Sequence, residues 1–239
     1  MLRISSDEER LVQDADIRWY SKVNLLKNKN KFNFYITTDF AVSDKQYSDY
    51  SVIAVWAYNA NGDWFLVDGV CERMTMDKTI NHLFTLVQKY NPQLVGIETS
   101  GQQGAFIKWL QSEMMNRNIW FNFASNKKSG EPGIHPIANK LTRFNLVVPW
   151  FKAGKVYFPE EEKASVFISH YIGQLRLATI NGLKGKDDCI DTISMLSYIN
   201  AWKPSEASDM DNSEVSDEVD RWGVTTSITS RSTLDSYIV

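Results

Sequence analysis

The chain has 239 residues, 43% of them hydrophobic and 13% aromatic, a formal net charge of −3 and two cysteines. A chain of this size buries enough surface to fold without covalent staples, and Cys71 and Cys189 share no ligand spacing, which excludes a disulfide framework and a zinc site. No apolar run approaches the roughly 20 residues of a membrane span and the N-terminus lacks the apolar core of a signal peptide, so a soluble, non-secreted, membrane-free protein is expected.

Residues 7–26 carry apolar positions at helical spacing (Leu11, Ala15, Ile17, Val23, Leu25) until "KNKNK" breaks the pattern, which predicts a lead-in helix and a basic linker over 1–31. From Phe32 the periodicity becomes that of strands: 32–39, 51–58 and 64–70, the last two joined by "NANGD", where Asn61-Gly62 supplies a hairpin turn. Short connections between three strands imply an antiparallel meander. Residues 77–90 read as a helix with Ile80, Leu83, Phe84 and Val87 on one face, closed by Pro92. "QLVGIE" is a short buried strand of the parallel kind, 102–116 a second amphipathic helix with Phe106, Leu110 and Met114, and "IWFNF" a further strand.

"ASNKKSGEPGIHP" is a polar loop punctuated by glycine and proline, of the kind that carries function or disorder. A helix over 137–145 follows, then a turn or small hairpin about Gly154, then helices over 160–180 and 187–202 separated by the loop "NGLKGKDD". Residues 203–239 hold eight acids and three bases, against 21 acids and 23 bases before them, and lose all periodicity. This acidic tail cannot bury enough surface to offset its ordering entropy and is expected to be disordered or to dock elsewhere.

Acids recur at comparable places. Asp39 ends the first strand, Glu98 ends "LVGIE", and "KDDCID" puts Asp187, Asp188 and Asp191 at the start of the last helix, where residues three and four apart share a face. If the first strand and "LVGIE" are neighbours, Asp39 and Glu98 meet and the helix supplies the remaining acid. Gathered carboxylates repel and raise one another's pKa. A hard divalent cation relieves that, and oxygen-only ligands select Mg²⁺ or Mn²⁺. Two such ions roughly 3.5–4 Å apart form the usual clamp for phosphodiester displacement. The scattered His82, His135 and His170 do not suggest a histidine site. Singly, an aspartate at a strand end reads as a turn residue and the acids before the last helix as a cap, whereas Glu98, at the exit of a buried strand, is harder to explain that way; the conjunction points to chemistry.

The order β-β-β-α-β-α with these acids resembles the ribonuclease H-like superfamily, a central mixed sheet of five or more strands (antiparallel meander, then parallel strands) flanked by helices. More narrowly, "TTDFAVSDKQYSDYSVIAVWA", "VGIETSGQQGAFIKWL" and "KDDCIDTISML" resemble the C-terminal nuclease domain of the terminase large subunit of tailed bacteriophages, over residues 32–202. The resemblance implies a metal-dependent endonuclease that cuts concatemeric viral DNA in the host cytoplasm, with Asp39 as shared metal ligand and Glu98 as second acid. Asp188 and Asp191 are favoured as the third, with Asp187 as the alternative, since members of the family differ there. Asp49 matches an accessory acid. By the same resemblance the partners are double-stranded DNA, an ATPase motor, the portal protein and the small terminase subunit. No G-x-x-x-x-G-K-[ST] phosphate loop occurs, so the motor is expected to be missing from this chain and 1–31 to be the remnant of its linker.

Cations suited to phosphates are Lys127 and Lys128 in the polar loop, Lys140 and Arg143 on one helical face, Lys152 and Lys155 about Gly154, and Lys184 and Lys186 before the acidic segment. Competing readings are a junction resolvase or transposase-type nuclease, and a catalytically silent binding module of the same fold.

Overall fold

The computed structural model describes residues 9–41, 50–99 and 103–204. The acidic tail beyond them and Asp49 lie outside the described residues. Strands β2 (Phe32–Asp39), β3 (Ser51–Asn59) and β4 (Trp64–Glu72) form the expected meander. Its β3–β4 turn uses Gly62 at φ +79°, a backbone state that glycine reaches without steric cost. Strand β5 (Leu94–Ile97) lies parallel to β2, from Tyr35 beside Leu94 to Thr38 beside Ile97. On the other side, β6 (Val156–Pro159) runs parallel to β4, and β1 (Arg18–Tyr20) runs parallel to β6 at the edge. The order across the six-stranded sheet is β1-β6-β4-β3-β2-β5. Among the described residues no helix is long and apolar enough to cross a membrane.

The central strands are buried on both faces, and alternate residues feed two cores. Ile36, Ile53, Val55 and Val67 pack with α2 (Met76–Tyr90) and α3 (Gln103–Arg117). Tyr35, Ala54, Trp56 and Leu66 pack on the opposite side with α4 (Lys140–Asn145), α5 (Val148–Lys152), α6 (Val166–Leu177) and α7 (Asp188–Met195). That second core holds α7 against the middle of the sheet. Inside it, the Trp56 indole N–H donates to the Thr37 hydroxyl at 3.0 Å, and Tyr171 and Thr192 share a hydroxyl hydrogen bond of 2.7 Å.

Several elements differ from the sequence reading. The lead-in helix is replaced, over its described residues, by a 3-10 turn at Asp14–Asp16, strand β1 and the short α1 (Lys22–Lys27). Trp19 packs on Phe158 of β6, and the Tyr20 hydroxyl donates to the Leu66 carbonyl at 2.8 Å, so pairing with β6 overrides the helical spacing. "IWFNF" forms no full strand: only Phe123 bridges to Val95, through bonds of 2.8 and 2.9 Å. Of the turn or small hairpin read about Gly154, the turn is observed, but it joins a helix to a strand and no hairpin forms. Pro149 sits in the first turn of α5, where a missing N–H costs nothing, and Gly154 at φ +65° follows the helix end. The "NGL" loop carries a small hairpin of β7 (Ala178–Thr179) and β8 (Gly182–Leu183), and both final helices are shorter than read.

Gly69 of β4 marks where the sheet tolerates no side chain. Its φ is +156°, and a Cβ there would lie 2.3 Å from the Ile53 carbonyl oxygen and 2.4 Å from the Phe167 ring. Gly69→Ala is therefore expected to destabilise the domain by about 3 kcal/mol, the upper end of overpacking costs. Urea unfolding measures it, and a midpoint equal to wild type would show that β4 relaxes freely.

Candidate functional site

The site lies at the C-terminal ends of the parallel neighbours β2 and β5. Because Thr38 pairs with Ile97, the next residues, Asp39 and Glu98, emerge side by side at one edge. The polar loop extends this edge. Ile134 donates its N–H to the Ile97 carbonyl, and Thr99 donates to the Ile134 carbonyl, each at 2.8 Å. Asn126 pins the same loop by exchanging two hydrogen bonds with the His135 backbone, at 2.7 and 2.9 Å.

α7 brings its first turn to this edge. Asp188 and Asp191 are buried and Asp187 precedes them at the N-cap. The Asp187 side chain makes no capping bond. Gln174 of α6 does that work, its side-chain oxygen accepting from the Cys189 and Ile190 N–H groups at 2.8 and 3.4 Å. The acids are thus not needed as caps, and their burial is supported by the positive end of the helix dipole.

Electrostatics show the convergence. Asp39 is pushed up to about 8 by burial first, then by Asp191, with Asp188 and Glu98 adding and Lys140 opposing. An acid held so far above its ordinary range is buried without enough positive charge to offset that burial, and the acids around it add to the cost of ionising it. Asp191 is also raised, by burial, although Lys140 and Arg143 pull the other way.

Two cations from α4 enter the cluster. The Lys140 ammonium lies 2.6 Å from Asp191 Oδ2 and 2.8 Å from Asp187 Oδ1. Arg143 donates through Nη1 to Glu98 Oε2 at 2.7 Å and through Nη2 to Asp191 Oδ1 at 2.9 Å. Both cations have raised pKa values, the cost of burial being outweighed by these carboxylates. Distances of 2.6 and 2.9 Å are those of charge-assisted bonds, so the ionised pairs describe the site.

Five acids therefore face two cations. Among the described residues no group of three His, Cys, Asp or Glu side chains is arranged to hold a metal ion, and oxygens of Glu98, Asp187 and Asp191 are engaged by Lys140 and Arg143. The donor set itself fits a hard divalent ion: it is oxygen-only, and Asp39 carries the mark of uncompensated charge.

Of the cations expected to face phosphate, Lys128 and Lys184 are exposed, Lys127 pairs with Glu131 at 2.6 Å, and Lys186 sits 4.2 Å over the Tyr50 ring. Lys152 and Lys155 lie in ion pairs with Asp16 and Asp63. Arg143 corrects the sequence reading: it is buried and turned toward the acids, not out to solvent. Lys140 faces the acids as well, with about half of its side chain exposed. The signal available in the sequence was their spacing of three, which makes one face of α4 cationic.

A family model described as the terminase RNase H-like domain matches residues 36–198. Among solved structures, the manganese-soaked human cytomegalovirus terminase nuclease domain aligns with a TM-score of 0.56 at 14% identity, over 82% of this chain and 97% of that chain. A second structure of that domain gives 0.54 at 13%, over 80% and 95%. The zinc-bound large terminase nuclease from thermophilic phage G20c gives 0.44 at 19%, over 69% and 79%. At these identities the likeness is one of fold. No curated protein matches the chain.

Proposed function

The chain belongs to the terminase RNase H-like domain family, and from that premise we propose that it is a divalent-metal-dependent endonuclease acting on double-stranded DNA during viral genome packaging. The observation that carries the reading is the convergence of Asp39, Glu98, Asp188 and Asp191 at one sheet edge, with Asp39 pushed up to about 8 by burial and its acidic neighbours. Those four residues would hold Mg²⁺ or Mn²⁺. When bound, such ions lower the pKa of water and neutralise charge developing on a phosphodiester.

The chain's own residues account for the rest. Buried α7 and the paired ends of β2 and β5 fix three acid-bearing segments relative to one another, so little ordering remains to be done when the phosphate arrives. Lys127, Lys128, Lys184 and Lys186 supply positive charge for flanking phosphates, which position DNA without reading its sequence. A motor ATPase, portal and small terminase subunit as partners belong to the same proposal.

The test is plasmid cleavage by purified protein with Mg²⁺, Mn²⁺ or EDTA. Nicked and linear products that need the ion are expected, weakening steeply as salt rises. No cleavage with either ion, together with no heat of Mn²⁺ binding in calorimetry, would leave a binding module of the same fold as the better reading.

A further inference from the structure

We propose that Arg143 is a positioning residue for catalysis, setting the span between Glu98 and Asp191, rather than a contact for DNA phosphate. The inference rests on the nuclease reading above and deepens it. Glu98 follows β5, and Asp191 lies one turn into α7, so their carboxylates come from separate parts of the chain. Arg143 joins them with one guanidinium, Nη1 to Glu98 Oε2 at 2.7 Å and Nη2 to Asp191 Oδ1 at 2.9 Å.

The geometry excludes a direct role toward the backbone of DNA. The Arg143 side chain is 5% exposed, and both terminal nitrogens are engaged with carboxylates. Its Nε is buried without a hydrogen-bond partner, a cost that the fold accepts in holding the fork at this point. α4 is held in turn: Asn139 caps it by accepting from the Thr142 N–H at 2.8 Å, and Phe144 is fully buried. The guanidinium thus projects from a fixed support.

Charge alone would not need an arginine. A planar fork of donors fixes two carboxylates at a set separation, whereas an ammonium is a single point that can approach one or both at any angle. Arg143 leaves Lys140 to neutralise Asp187 and the second oxygen of Asp191.

The experiment compares wild type, Arg143→Lys and Arg143→Met by plasmid cleavage, Mn²⁺ calorimetry without DNA, and thermal unfolding. Arg143→Lys keeps the charge and guards against a failure to fold in Arg143→Met. Expected for Arg143→Lys is a melting temperature near wild type, kcat lower by about 100-fold, the loss that a misplacement near 1 Å produces, and KM for DNA unchanged. Expected for Arg143→Met is Mn²⁺ binding at least as tight as wild type, because a positive charge has gone, with the same loss of kcat. Full activity of Arg143→Lys would overturn the proposal in favour of charge alone. A raised KM with kcat preserved would overturn it in favour of a phosphate contact. Wild-type protein that neither binds Mn²⁺ nor cuts would overturn the nuclease reading and the positioning role with it, whereas a failure confined to the Arg143 proposal leaves wild-type binding and cleavage intact.

Discussion

Asp39→Asn is expected to abolish plasmid cleavage, by about 10³-fold or more, while making the metal-free protein more stable at pH 8 than wild type. The loss of activity follows from removing a carboxylate that the paired ends of β2 and β5 hold in the site, since a metal's transition-state contribution of several kcal/mol corresponds to roughly that factor. The gain in stability has a separate cause. Asp39 ordinarily titrates near 3.8, and burial together with Asp191, Asp188 and Glu98 pushes it up to about 8 in the folded protein. Between those two values the folded chain holds a proton that the unfolded chain releases, so wild-type stability falls as pH rises from about 4 to 8 and levels off above. Ionising the buried carboxyl over that range costs the fold a few kcal/mol, at about 1.4 kcal/mol for every tenfold change in proton affinity. Urea unfolding in EDTA at pH 5 and pH 8 measures it: the Asn variant should gain most at pH 8 and least at low pH. Equal midpoints at both pH values would mean that Asp39 bears no uncompensated repulsion. Mn²⁺ should raise the wild-type melting temperature at pH 8 and leave the variant's almost unchanged.

What the sequence could reveal here was local. β2 and β5 announce themselves by apolar runs that stop at an acid, and short connections among β2, β3 and β4 force a meander, which leaves the far edge of β2 open to β5. "KDDCID" opens α7 because acids favour a helix start. The parts that stayed hidden depend on contacts distant in sequence. Arg143 and Lys140 read as phosphate contacts because nothing near them in the chain shows that α4 packs on α7 with its cationic face inward. Gln174 is silent for the same reason, lying in α6 yet accepting from a helix-start N–H 15 residues further on. β1 and α5 failed differently: pairing with β6 overrode the helical spacing around Trp19, and in the stretch before Gly154, read only as a turn or small hairpin, Pro149 occupies the one part of a helix where proline is tolerated.

Asp191→Ala should cost cleavage as Asp39→Asn does, yet move stability in the opposite direction, by about 3–5 kcal/mol of destabilisation at pH 7 in EDTA. Asp191 is buried and holds two cations, Lys140 at 2.6 Å and Arg143 at 2.9 Å. Its removal leaves Arg143 buried with one carboxylate in place of two, and breaking a buried pair from one side strands the remaining charge. Lys140, with about half of its side chain exposed, can turn to water and loses less. Chemical denaturation of the two variants beside wild type gives midpoints that should fall on either side of it. If Asp191→Ala also stabilised, the pairs with Arg143 and Lys140 would be worth less than the burial they impose, and the fork could not be what sets the span to Glu98. The opposite signs carry a functional meaning. Glu98, Asp187 and Asp191 already have cationic partners in the folded chain, whereas Asp39 is held largely against its neighbours. On the proposed reading, the carboxyl that a divalent ion would relieve most is therefore the one at the end of β2, which would give up its proton as the ion binds.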